Sequence, residues 1–198
     1  MATRTIDRPM VGTSVRAVET AQPVERIKGA TVFGLTRISL GFVFLWAFLD
    51  KAFALGFATG RAEDGTIDVF GKGVAWLNGG SPTEGVLTYA TKGPLASFFQ
   101  GLAGAAWVDW VYMASMLLIG LALVLGVATR LAAIGGAIWM GIFYVATAIK
   151  PEHNPVVDDH VIYALVLVGL AAIGAGSYLG LQRRWERLAL VKRFPVLK

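Results

Sequence analysis

The sequence predicts an all-α integral membrane protein: a four-helix transmembrane bundle with an extracytoplasmic helical insertion between spans one and two. Three observations predict it. Segments 31–49, 111–128, 131–149 and 161–181 are apolar, and Arg37 is the one charged residue within them. Each is about as long as the ~20 residues a helix needs to cross a hydrocarbon core of ~30 Å. The composition is 56% hydrophobic with a mean hydropathy of +0.62, against about 45–50% apolar residues in soluble domains. The charges are also sorted. Thirteen of the eighteen basic residues lie before or early in span one, in the 127–130 turn, or after span four. Nine of the thirteen acids lie in the opposite connections. Basic loops stay in the cytoplasm, so both termini are expected inside and segments 50–110 and 150–160 outside. The net charge of +5 is therefore a membrane-surface feature, and a nucleic-acid partner is not expected.

The elements follow in order. Residues 1–28 are polar and form an expected cytoplasmic tail, too long for the n-region of a signal peptide. Span one starts near Gly29 and, being longer than a signal h-region and carrying Arg37, is expected to stay uncleaved. Residues 29–182 form the membrane domain, with 58–104 as its external insertion. Within the insertion, Ser81 and Glu84 have capping-box spacing and Pro82 suits a first helical position, so a short helix is expected from Pro82 to about Ala90. Gly93-Pro94 repeats the stop–start signal, and Leu95, Phe98, Phe99 and Leu102 recur as one helical stripe over 94–104. These helices read either as a cap over the bundle or as a lid over a site. Trp107 and Trp110, flanking Asp109, read as an interfacial aromatic belt. Glycines recur through spans two to four, as close helix packing in membranes requires; Gly174-Ala175-Gly176 has no preceding strand, so packing explains it better than nucleotide binding. Residues 183–198 form a basic cytoplasmic tail. Cysteine is absent, which excludes dithiol redox chemistry, iron–sulfur clusters and thiolate zinc sites within this chain.

Arg37-x-x-x-Gly41 followed by Trp46-x-x-x-Asp50-Lys51 resembles the DoxX/DoxD family of small four-helix bacterial membrane proteins. Gly80-Ser81-Pro82-Thr83-x-Gly85, Gly93-Pro94, Asn154-Pro155 with His160, and Gly176-x-x-Leu179-Gly180-Leu181 before Trp185 resemble its DoxD-type branch. The resemblance covers roughly residues 30–185. It implies a location in the bacterial plasma membrane and a role like that of the small membrane subunit of thiosulfate:quinone oxidoreductase. It also implies quinone as co-substrate, no covalently bound cofactor, and a partner subunit in a membrane redox complex. A thiosulfate dehydrogenase (quinone)-like activity is the enzyme reading. A non-catalytic accessory or assembly subunit of a larger respiratory complex is the alternative. A small transporter is disfavoured, because the midplane has almost no polar lining.

Two groups of residues are candidates for chemistry. Arg37 lies about two turns inside the membrane, where a charge costs roughly 2.5–3.5 kcal/mol on insertion scales. Either it snorkels to the headgroups, or it faces the bundle and binds an anion, a quinone oxygen or a polar group such as Tyr178. Trp46 and Tyr163 join it as candidate quinone-binding residues. The second group gathers at the outer ends of the spans: Asp50, Lys51, Asp109, Asp159 and His160, with His153 and Asp158 beside them. Its carboxylates and imidazoles suit proton transfer from an oxidised quinol. Equally, Asp158 or Asp159 suits the N-cap of span four, and Lys51 suits a pairing with Asp109. The cluster also offers ligands to a divalent metal, but two histidines without fixed spacing make a weak signal, and no metal site is assigned.

Overall fold

The computed structural model describes residues 29–148 and 155–197; the predicted N-terminal tail and His153 lie outside them. Four helices do most of the work. Helix α1 is Ala30–Phe53, α3 is Ala106–Leu125, α4 is Thr129–Phe143, continued by a π-turn over Tyr144–Ala148, and α5 is Asp159–Ala172. The short α2 (Ala96–Gln100) lies in the insertion, and α6 (Gln182–Trp185) and α7 (Ala189–Arg193) follow α5. Among the described residues, the one β-type feature is an isolated bridge between Arg61 and Ile67.

Three helical runs, Ala30–Phe53, Ala106–Leu125 and Thr129–Thr147, are long and apolar enough to cross a membrane. The fourth apolar segment differs from the sequence expectation of a span over 161–181. Its helix holds 14 residues, about 21 Å by helix rise. It stops because Gly174 turns left-handed at φ 62° and the chain then tightens into a 3-10 turn over Ala175–Ser177. A side chain at Gly176 would collide with Thr129 and Gln182, so this turn is wedged against the start of α4.

Local chemistry sets the other boundaries. Helix α1 ends where Ala54 adopts a left-handed conformation and donates to the Asp50 carbonyl. Helix α3 ends at left-handed Gly126, a favoured helix terminator. The Asp158 carboxylate accepts from Val161 N–H at 3.2 Å and caps α5, as the sequence allowed. In the insertion, Ser81 Oγ accepts from Glu84 N–H at 3.2 Å, one half of the expected capping box. The run that follows is a π-turn over Val86–Ala90, and the second insertion helix is shorter than the 94–104 stripe.

Helix α1 packs most extensively on α3, α4 packs on α5, and α3 contacts α4. Phe44, Met113, Met116, Leu123, Ala133 and Leu167 are buried between them. Membrane helices gain little from apolar burial against each other, so close backbone approach has to supply the packing. It does so between α1 and α3. A Cβ on Gly41 would stand 2.7 Å from Val124 N, and one on Gly120 would stand 2.6 Å from Leu45 N. Both obstacles are main-chain atoms that cannot swing away. A Gly120→Ala change is therefore expected to force α1 and α3 apart at a cost of about 1–3 kcal/mol, read as a lower thermal midpoint of the helical circular-dichroism signal in mild detergent.

The helices alternate in direction, which gives the molecule two ends. At the Arg37 end lie the start of α1, the end of α3, the start of α4 and residues 174–197. At the Lys51 end lie the end of α1, the insertion, the start of α3 and the start of α5.

Candidate functional site

The Lys51 end holds a cavity of about 400 Å³, within the usual range for small-molecule sites of about 300–1,000 Å³. Its floor is built from the ends of α1, α3 and α4. Lys51 comes from the last turn of α1, Val108, Val111 and Tyr112 from α3, and Trp139, Ile142 and Phe143 from α4. The insertion closes the other side with Thr83, Leu87, Thr91, Phe98, Phe99 and Leu102. Trp107 and Phe98 at the rim are each 62% exposed, and Val111 is 50% exposed. The rim is therefore formed by exposed apolar side chains, whereas Tyr112 in the lining is buried.

The lining is almost wholly apolar and aromatic. Tyr112, Trp139 and Phe143 form a triad, with ring centroids 5.7, 6.3 and 5.6 Å apart. Thr83, Thr91 and Thr147 turn their hydroxyl hydrogens to Asp109, Leu87 O and Phe143 O, so their donors are already used. Among the described residues, Lys51 is the one charged residue lining the cavity. Neither its ammonium nor the Tyr112 hydroxyl makes a hydrogen bond among the described residues; Asp50 is the charge that acts on both. Two free donors thus stand in an apolar chamber with an exposed apolar rim.

The carboxylates expected beside Lys51 are otherwise engaged. Asp50 is 2% exposed and accepts from Phe57 N–H at 3.0 Å and Ala58 N–H at 2.9 Å, pinning the chain as it leaves α1. Asp109 accepts from Ser81 Oγ at 3.0 Å, Thr83 Oγ1 at 2.6 Å and Thr83 N–H at 3.2 Å. It therefore latches the insertion to the start of α3, and the expected pairing with Lys51 does not form. Removing this carboxylate with Asp109→Ala is expected to cost about 2–3 kcal/mol, since charge-assisted bonds are lost from buried donors. Limited proteolysis should then cut first within 81–92.

Asp159 is exposed on α5, while His160 Nδ1 lies 2.6 Å from Asp158 Oδ2 and its ring sits 5.9 Å from Phe143. Burial pushes the Asp158 carboxyl up. Hydrogen bonds from His160 and Val161 N–H, with the charge of the imidazole, outweigh that and hold it below its ordinary 3.8. A carboxyl depressed by folding stabilises the fold above its ordinary range, and that contribution is lost as pH falls through it and below. The thermal midpoint is expected to drop on acidification from about pH 5 to 3, and Asp158→Asn should flatten that limb.

The remaining sequence candidates lie away from the cavity. Trp46 is held between Phe42, at 5.7 Å, and Phe57, at 5.0 Å. Tyr163 is 38% exposed on α5. Arg37 is at the opposite end and does not snorkel: it is 0% exposed. Its guanidinium donates to Leu123 O, to Val124 O at 3.5 Å, to Tyr178 O at 3.1 Å and to Leu179 O at 3.0 Å. It binds the main chain of Tyr178 rather than the phenol. A cation at the carbonyl end of α3 also complements the helix dipole. Side chains at Gly126 or Gly180 would meet its nitrogens, so the sequence leaves room for it at both.

Comparison with protein-family models, with curated proteins and with solved structures finds no match. The residues that sequence reasoning missed are Tyr112, Trp139 and Phe143. Each sits in an apolar span, where an aromatic residue is indistinguishable from ordinary core or lipid-facing surface. Their nearness to the Lys51 end of the helices was the one signal present.

Proposed function

We propose that this chain is a DoxX/DoxD-like component of a membrane oxidoreductase and that the cavity at the Lys51 end receives the headgroup of a quinone. In this reading α1, α3, α4 and α5 form a four-helix transmembrane bundle in a bacterial plasma membrane. Both termini are cytoplasmic, and the insertion lies outside. The observation that carries it is the combination of an exposed apolar rim, an aromatic lining and two free donors. A quinone travels in the bilayer, has a flat apolar ring, and presents two carbonyl oxygens that accept hydrogen bonds. Lys51 and Tyr112 offer donors to such an oxygen, and Tyr112, Trp139 and Phe143 offer rings to stack against.

Reduction of the quinone consumes two electrons and two protons. The electrons come from a reduced sulfur donor of the thiosulfate type, oxidised either at the complex or on a partner subunit; the protons come from the aqueous outer side. Lys51 would hold the developing negative charge on the quinone oxygen.

A second reading, an accessory subunit docked on a larger complex, is favoured by the outward apolar side chains of the insertion. Val69 is 54%, Leu77 55% and Tyr89 86% exposed. The test is thiosulfate-dependent reduction of a short-tailed quinone by the protein purified in mild detergent, alone and with whatever co-purifies. Activity that depends on Lys51 supports the oxidoreductase reading. Inactivity of both preparations, together with a stoichiometric respiratory partner, supports the accessory reading.

A further inference from the structure

The Arg37 end carries a second surface that the cavity does not use. After α5 the chain folds back beneath the bundle as α6, α7 and a 3-10 turn over Pro195–Leu197. It is fastened there. Leu181 N–H donates to Leu125 O at 2.9 Å, Trp185 Nε1 donates to Leu197 O at 2.6 Å, and Val191 is completely buried. The sequence predicted a basic tail; the structure shows a folded platform.

Its outward face has two kinds of side chain. Arg183, Arg184, Arg187, Lys192 and Arg193 are exposed, and none has an ion-pair partner among the described residues. Leu188 and Leu190, between Arg187 and Lys192, are 50% and 57% exposed, and Phe194 and Val196, just after Arg193, are 47% and 69% exposed. The one acid in the segment, Glu186, is engaged by Gln182 Nε2 at 2.8 Å. Beside the platform is a polar cleft of about 180 Å³ edged by Arg130, Ser177 and Glu186.

We propose that this platform binds anionic phospholipid, seating phosphate groups against its arginines and its exposed apolar side chains among the upper acyl carbons. Interleaved cations and apolar side chains are the composition of an interfacial surface. The position agrees, because the platform lies where the apolar runs of α1, α3 and α4 begin or end, at the level of the headgroups. A soluble acidic protein or a nucleic acid would be met by the cations but would leave Leu190 and Val196 in water. A zwitterionic lipid would leave five cations without counter-charge.

The test uses full-length protein reconstituted in vesicles of equal phosphatidylglycerol and phosphatidylcholine. The protein is extracted gently, and the retained lipid is measured by native mass spectrometry. Phosphatidylglycerol is expected to be enriched about tenfold or more over phosphatidylcholine, and high salt should erode the enrichment. The variant R183Q/R184Q/R187Q/K192Q/R193Q should lose it while keeping its helical circular dichroism. Should that variant misfold, the pairs R183Q/R184Q and K192Q/R193Q, made separately, should each lose part of it. Equal retention of the two lipids by the unaltered protein would overturn the proposal, as would enrichment that survives in every folded variant.

Discussion

Replacing Arg37 with leucine is expected to lower stability by about 3 kcal/mol, the cost of taking a charged donor from two part-buried carbonyls that have no other among the described residues. The carbonyls of Tyr178 and Leu179 would lose their donor, while Leu123 O would keep Gly126 N–H at 3.3 Å; a membrane interior has no water to replace what is lost. For a chain of this size the thermal midpoint should fall by roughly 6–12 °C. Arg37→Lys should recover only part of the loss, because an ammonium keeps the charge but not the planar fork that reaches both α3 and the 178–179 segment. The same substitution should leave quinone binding unchanged in the protein that remains folded. Arg37 and Lys51 are fourteen residues apart on α1, about 21 Å along the helix axis. A stability loss without a binding loss is the signature of an arginine that serves the fold.

Lys51→Met is expected to do the reverse. Methionine matches the length and apolar stem of lysine, so the end of α1 should remain intact. What disappears is the one cation that lines the cavity among the described residues. Hydrogen bonds to charged groups contribute about 1.5–3 kcal/mol, so quinone affinity should weaken about tenfold to a hundredfold. Tyr112→Phe removes a neutral donor and should cost about fivefold, near the ~1 kcal/mol of an ordinary hydrogen bond. The thermal midpoint should barely move in either variant, which separates these effects from unfolding.

The sequence displayed the three long spans well, because hydropathy, length and charge sorting all bear on the same property. It displayed the fourth poorly. Residues 161–181 are apolar throughout, yet the helix ends at Ala172, since left-handed Gly174 and the crowded Gly176 turn the chain. Hydropathy does not register a turn whose residues are themselves apolar. The candidate site was legible in position and not in composition. The Lys51 end was singled out for its acids and histidines, and the cavity is there. Of that group Lys51 lines it, while Asp50 and Asp109 hold neighbouring main chain and hydroxyl groups. A charge pattern identifies which residues need partners; it does not say that the partners are the protein's own backbone. Arg37 teaches the same lesson, since its acceptors are carbonyls that any sequence would provide.

The most direct test of the proposal that the cavity receives a quinone is an equilibrium titration of the purified protein in mild detergent with a short-tailed quinone, followed by tryptophan emission. Trp107 and Trp139 line the cavity, and a bound quinone quenches nearby indoles. Saturable quenching at one quinone per chain is predicted, weakened about tenfold or more by Lys51→Met and left intact by Arg37→Lys. Quenching that never saturates, or a curve that Lys51→Met leaves unchanged, would contradict it.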